Sequence, residues 1–181
     1  MPKRRAKRPI NTVVNLIDIP SRNTSKGEMK LYLETTVPNF LLADDAPEKR
    51  EITKVFAQWL RLATHEIHTS QLVFEEIARS QQPLRGMLEQ ALEEMKPNLL
   101  TVTDEARALA RHYLEAGILP TRFKDDLLHV AIAVCHRMDM VVTWNMKHLA
   151  HPGKVARINA ISRLHGWPMI RIHTPKEVLG L

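Results

Sequence analysis

Apolar and polar positions along this chain fall into two alternating patterns. Short apolar runs free of breakers read as buried strands: KLYLE (30–34), HEIHTS (65–70, the weakest), NLLTVT (98–103), MVVTW (140–144) and PMIRIHTP (168–175). Between them the spacing turns helical. Residues 48–64 place Ile52, Val55, Phe56, Trp59, Leu60 and Leu62 on one side, after Pro47 near the helix start. QLVFEEIARS (71–80) predicts a further helix, and PLRGMLEQALEEM (83–95) another with Leu84, Met87, Leu88, Ala91 and Leu92 on a common face. Thr103 or Asp104 caps a helix that runs through Tyr113 and is closed by Gly117 and Pro120. Two more helices are expected over 124–138 and 154–165, and Thr35, Thr36 and Pro38 suit a turn into a helical piece at 39–42.

Strands alternating with helices predict an α/β fold with a mainly parallel central sheet and right-handed crossovers. Ligands of such sheets bind beyond the carboxyl ends of the strands. Glu34 and Asn145 each follow an apolar strand directly, so both are expected on that edge.

Composition changes this picture only at the ends. With 181 residues and 44% hydrophobic content the chain fits one domain. No apolar run approaches the ~18 residues of a membrane span, and the basic start lacks the apolar stretch of a secretory signal, so a soluble cytoplasmic protein is expected. The single cysteine, Cys135, falls in VAIAVC and reads as a buried structural thiol. Eight of the 26 Lys and Arg lie in the first 30 residues against two acids, so the net charge of +6 belongs there and the remainder balances. Residues 1–28, rich also in Pro, Ser and Asn, read as a flexible basic arm, leaving 29–181 as the folded domain. The arm either adds sequence-independent affinity for nucleic acid or is a solubilising extension, and its TVVNLIDI patch can dock on the body or on a partner.

Most of the 20 Asp and Glu belong on solvated helix faces. Glu34 differs, because an acid ending a buried strand must be paired, hydrogen-bonded or metal-bound. A hydrogen bond to Thr35, Thr36 or a helix terminus is the structural alternative. Asp125 and Asp126 precede the apolar run LLHVAIAV; one suffices as a cap, leaving the other, for which Asp126 is the candidate, to project toward the strand edge. In VFEE, one of Glu75 and Glu76 lies at the boundary of the apolar face, and spacing does not decide which. His129, one turn after Asp126, is either a buried hydrogen-bonded histidine or a pocket residue. Lys147 and His148 either bind phosphates or sit in a solvated turn. Trp144 reads as core, and His65, His68 and His151 as surface residues.

The succession LYLETTVPNFL, TSQLVFEEIA, KDDLLHVAIA and VVTWNMKHL resembles PIN-domain proteins, most closely the VapC-like toxins of type II toxin–antitoxin systems in the branch that shares the TWN pattern. The resemblance spans roughly residues 30–181, and its most specific parts are D-x-L-H-x-A-x-A at 126–133 and TWN-x-K-H at 143–148. It implies a PIN-like three-layer α/β/α fold and an endoribonuclease dependent on Mg²⁺ or Mn²⁺, held inactive by a cognate antitoxin. A homodimer is also what the family suggests. Residue by residue, it implies catalytic roles for Glu34, Glu76, Asp126 and Asn145, with Glu34, Asp126 and Glu76 on the metal. Thr35, Thr36, Thr143, Asp125, His129 and Lys147 are the candidates for supporting those ligands or the substrate. Two positions depart from the commoner pattern: Glu34 stands where Asp is usual, and Asn145 replaces an acid. The lost anion points to single-metal operation or to low activity without substrate phosphate. Such departures also leave room for a non-catalytic nucleic-acid or protein binding module.

Overall fold

A computed structural model describes residues 28–181; the N-terminal arm expected at 1–28 lies almost wholly outside the described residues. The elements are β1 (Lys30–Leu33), α1 (Thr36–Leu41), α2 (Pro47–Leu62), β2 (Glu66–Ser70), α3 (Gln71–Ala78), α4 (Leu84–Glu94), β3 (Asn98–Leu100), α5 (Asp104–Glu115), α6 (Lys124–Cys135), β4 (Met140–Val142), α7 (Pro152–Leu164), β5 (Arg171–His173) and α8 (Pro175–Leu179). The five strands form one sheet in the order β3-β2-β1-β4-β5, and every pair is parallel. This is the three-layer α/β/α arrangement that the resemblance implies.

The period of two within the strands divides the core. Tyr32, Val141 and Ile172 point to one face and pack with α5, α6 and α7, whereas Leu31, Leu33, Met140 and Val142 point to the other and pack with Val37, Phe56, Leu60 and Leu179. Both faces are therefore covered, which is why β4 is a continuous apolar run. Helix α6 is buried almost all round, from Leu127 through Val134, and makes the centre of its layer. Among the described residues no helix is long and apolar enough to cross a membrane.

Several local expectations shift. The third strand stops at Leu100, since Thr101 to Thr103 leave the sheet and lead into α5, where Thr103 Oγ1 accepts a hydrogen bond from Ala106 N at 3.2 Å. Thr103→Ala is expected to cost about 1 kcal/mol of stability, read as a small fall in Tm. Gly117, at φ +65°, follows α5 where the left-handed conformation is needed, as its sequence position implied. Helix α1 begins at Thr36, earlier than expected, because Pro38 sits in its first turn, where a missing N–H costs nothing. On α4 only Leu88 and Leu92 of the expected face are buried; Leu84 and Met87 are about half exposed, since α3 packs against the C-terminal part of that stripe. His68 is buried rather than at the surface, because it lies in β2 beneath the helical layer, with Nε2 3.1 Å from Glu66.

Candidate functional site

Strands β1, β2 and β3 step across the sheet in one direction, and β4 and β5 lie on the other side of β1. The strand order thus reverses between β1 and β4, and the carboxyl ends of those two strands are where ligands of open α/β sheets bind. Glu34 and Thr143 are the residues that follow those two strands.

Glu34 is only 4% exposed. Its Oε2 accepts from Thr36 N at 3.0 Å, from the Thr36 hydroxyl and from Thr143 Oγ1 at 2.8 Å. The expected hydrogen bond to Thr36 at the start of α1 is present. Burial pushes its pKa up, against the opposing pull of His129 and of the Thr36 and Thr143 hydrogen bonds. The fold therefore holds a carboxylate whose charge it solvates incompletely.

Between the two glutamates of α3, Glu75 is exposed and Glu76 turns inward. Glu76 Oε2 accepts from the Thr35 hydroxyl and lies 3.1 Å from His129 Nε2. Burial alone raises its pKa, but His129, Thr35 and Arg79 outweigh that and hold it below the usual carboxylate range. His129 is fully buried on α6, and its Nδ1 lies 2.7 Å from Tyr32 Oη, itself 2.7 Å from Ser70 Oγ. Burial acts to lower the imidazole pKa; the bond to Glu76 and the charges of Glu34, Glu76 and Asp126 prevail and raise it. His129 is the buried hydrogen-bonded residue, and it lies close to both Glu34 and Glu76.

One ligand atom each of Glu34, Glu76 and His129 lies within 4.8 Å of the other two. Asp126 stands outside that close group. Its Oδ2 is 2.9 Å from His148 Nδ1, while Asp125 pairs with Arg79 at 3.4 Å. Neither aspartate caps α6, whose N-cap position is Phe123 with no side-chain hydrogen bond; both still lie in the first turn, where the helix dipole favours them. Asn145 organises the loop after β4: its N donates to Thr143 Oγ1 at 2.9 Å, and its Oδ1 accepts from His148 N at 3.1 Å. Lys147 is exposed, and Trp144 is core, donating Nε1–H to Thr53 at 2.9 Å. Cys135 is partly buried and its thiol is pushed up to about 11 by burial and Glu105, which leaves it inert at neutral pH.

The donor set fits a hard divalent cation, which takes oxygen ligands. Each of Glu34, Glu76 and Asp126 commits one oxygen to hydrogen bonds, and the other carboxylate oxygen has no hydrogen-bond partner among the described residues. His129 has both ring nitrogens engaged, so it serves to orient Glu76 rather than to donate to an ion. Tyr32 and Ser70, which complete this relay, escaped the sequence reading because a tyrosine inside an apolar strand looks like core. The pairing of His148 with Asp126 escaped it as well, since the two are 22 positions apart.

No protein-family model and no curated protein matches the chain. Among solved structures, it is similar to the crystal structure of VapBC2 from Rickettsia felis bound to a DNA fragment from their promoter, at 14% identity and a TM-score of 0.47, over 81% of this chain and 98% of that one.

Proposed function

We propose that this chain is a metal-dependent endoribonuclease of the PIN type, acting as the toxin of a toxin–antitoxin pair. The observation that supports it most is the meeting of Glu34 and Glu76 with His129, which lies one turn of α6 after Asp126, where the strand order reverses, each acid with an oxygen to spare. In this reading Glu34, Glu76 and Asp126 hold Mg²⁺ or Mn²⁺. A bound ion of this kind lowers the pKa of a coordinated water and neutralises charge developing on a phosphodiester.

The chain's own groups do the rest. Thr36 and Thr143 fix the Glu34 carboxylate through one oxygen and leave the other free of hydrogen bonds among the described residues. His129, steadied by Tyr32, keeps Glu76 ionised and aimed, and His148 holds the Asp126 carboxylate in position. Asn145 shapes the loop that carries His148. Residues 29–181 form the catalytic domain, and the basic residues of 1–28 add phosphate affinity. The partners are RNA, a cognate antitoxin and a second copy of the chain, in the cytoplasm.

A second reading, a non-catalytic binding module, draws on Asn145, whose carbonyl oxygen is already used by His148 N, and on Asp126 lying outside the close group. Titration with Mn²⁺ separates the two. The nuclease reading expects saturable binding to the unmodified chain, at least tenfold weaker binding to Asp126→Asn, and RNA cleavage that chelator abolishes. Equal, negligible binding to both proteins with no cleavage of any RNA selects the binding module.

A further inference from the structure

The 3₁₀ turn Thr121–Phe123 leads directly into α6, placing Phe123 three residues before Asp126. The Phe123 ring lies 3.9 Å from the His148 ring, centroid to centroid, tilted by 49°. The Arg122 guanidinium carbon is 4.8 Å from the Phe123 centroid. His148 is also the partner of Asp126. A wall made of an arginine, a phenylalanine and a histidine therefore adjoins Asp126.

A core role accounts for this wall only in part. Phe123 packs its inner side on the main hydrophobic cluster but stays half-buried, and Arg122 is exposed. Arg122, Lys124 and Lys147 are all exposed, and none makes an ion pair among the described residues. Uncompensated cations close in sequence to Asp126 and His148 are what a polyanion needs to approach those residues. Planar aromatic and guanidinium groups, for their part, offer a stacking surface to a nucleobase. A base inside a duplex already has both faces stacked and cannot use such a surface, whereas an unpaired base can.

We propose that Arg122, Phe123 and His148 form a subsite for one unpaired base of single-stranded RNA, beside the phosphodiester that the acidic group would receive, with Lys124 and Lys147 available to the flanking phosphates. The placement of that phosphodiester rests on the nuclease reading; the stacking surface itself does not.

Binding of a fluorescein-labelled single-stranded RNA of about eight nucleotides to the full chain, followed by anisotropy in EDTA, tests the subsite without cleavage. Salt of about 0.3 M suppresses the phosphate contribution of the basic residues 3–8, common to every variant, while stacking persists. Phe123→Leu and Arg122→Ala are each expected to weaken binding about tenfold, Phe123→Tyr to bind as the unmodified chain does, and a duplex of the same sequence to compete poorly. Arg122 is exposed, so its variant keeps the readout clear of folding. Unchanged affinity in both Phe123→Leu and Arg122→Ala, duplex competing as well as single strand, or no binding by the unmodified chain, each overturns the subsite. Cleavage with Mn²⁺ and its loss in Asp126→Asn report separately on the nuclease reading.

Discussion

Glu34→Gln is expected to lower metal-dependent RNA cleavage by about three orders of magnitude while making the metal-free protein more stable. Both effects come from the same carboxylate. Glu34 is buried and its pKa is raised, so the native state binds its proton more readily than the unfolded chain does. Stability contributed by such a group is greatest when it is protonated and falls as pH rises past the unfolded value of about 4.3. Glutamine keeps an oxygen that can accept from Thr36 and Thr143 but carries no charge to desolvate. In EDTA at pH 7 the variant should melt several degrees higher, about 1–2 kcal/mol, and the advantage should vanish near pH 4. Saturating Mn²⁺ should reverse the order, because only the native unsubstituted site gains binding energy. A variant that melts lower than the unmodified chain in EDTA at pH 7 would show that the fold already compensates the Glu34 charge.

That trade explains why the architecture was easier to read than the site. Strands β1 and β4 are apolar because helices cover both faces, and a short run such as LYL or MVV signals this directly. Glu34 was legible for the same reason: a charge at the end of such a run conflicts with its surroundings. The choice between Glu75 and Glu76 was not legible, since adjacent helical positions differ by 100° and the boundary of an apolar face is no sharper than that. Asp126 was legible as an acid before a buried helix, but its engagement with His148 depends on how the loop after β4 folds back over α6. That loop is set by backbone hydrogen bonds to Asn145, from Leu149 N at 2.9 Å and Ala150 N at 3.0 Å, which no residue pattern announces. The relay from Ser70 through Tyr32 to His129 was hidden differently. Its members come from β2, β1 and α6, and each alone passes for an ordinary strand or core residue.

His129→Ala is expected to cost about 3–5 kcal/mol, the largest loss of stability of any single change within the site. The imidazole is fully buried and joins two groups that each lose one of their two hydrogen bonds with it: Tyr32 Oη, left with Ser70, and Glu76 Oε2, left with Thr35. A cavity in the middle of α6, whose neighbours Leu127 and Val130 are themselves fully buried, adds to the loss. For a chain of this size Tm should fall by roughly 10 °C or more. The pH dependence identifies the cause. His129 has a raised pKa, so its contribution is complete below about 6.5 and is lost as pH rises through its folded value. Glu76 has a lowered pKa, so its contribution is complete above about 4.3 and is lost as pH falls through its folded value. The gap in Tm between the unmodified chain and His129→Ala should therefore be widest between about pH 4.5 and 6.5 and should narrow on both sides. His129→Gln, which is neutral throughout but can still donate a hydrogen bond, should recover part of the stability without restoring that maximum. A gap that stays constant from pH 4 to pH 9 would assign the loss to the cavity alone, and Glu76 would then need no charged partner to stay ionised beside Glu34.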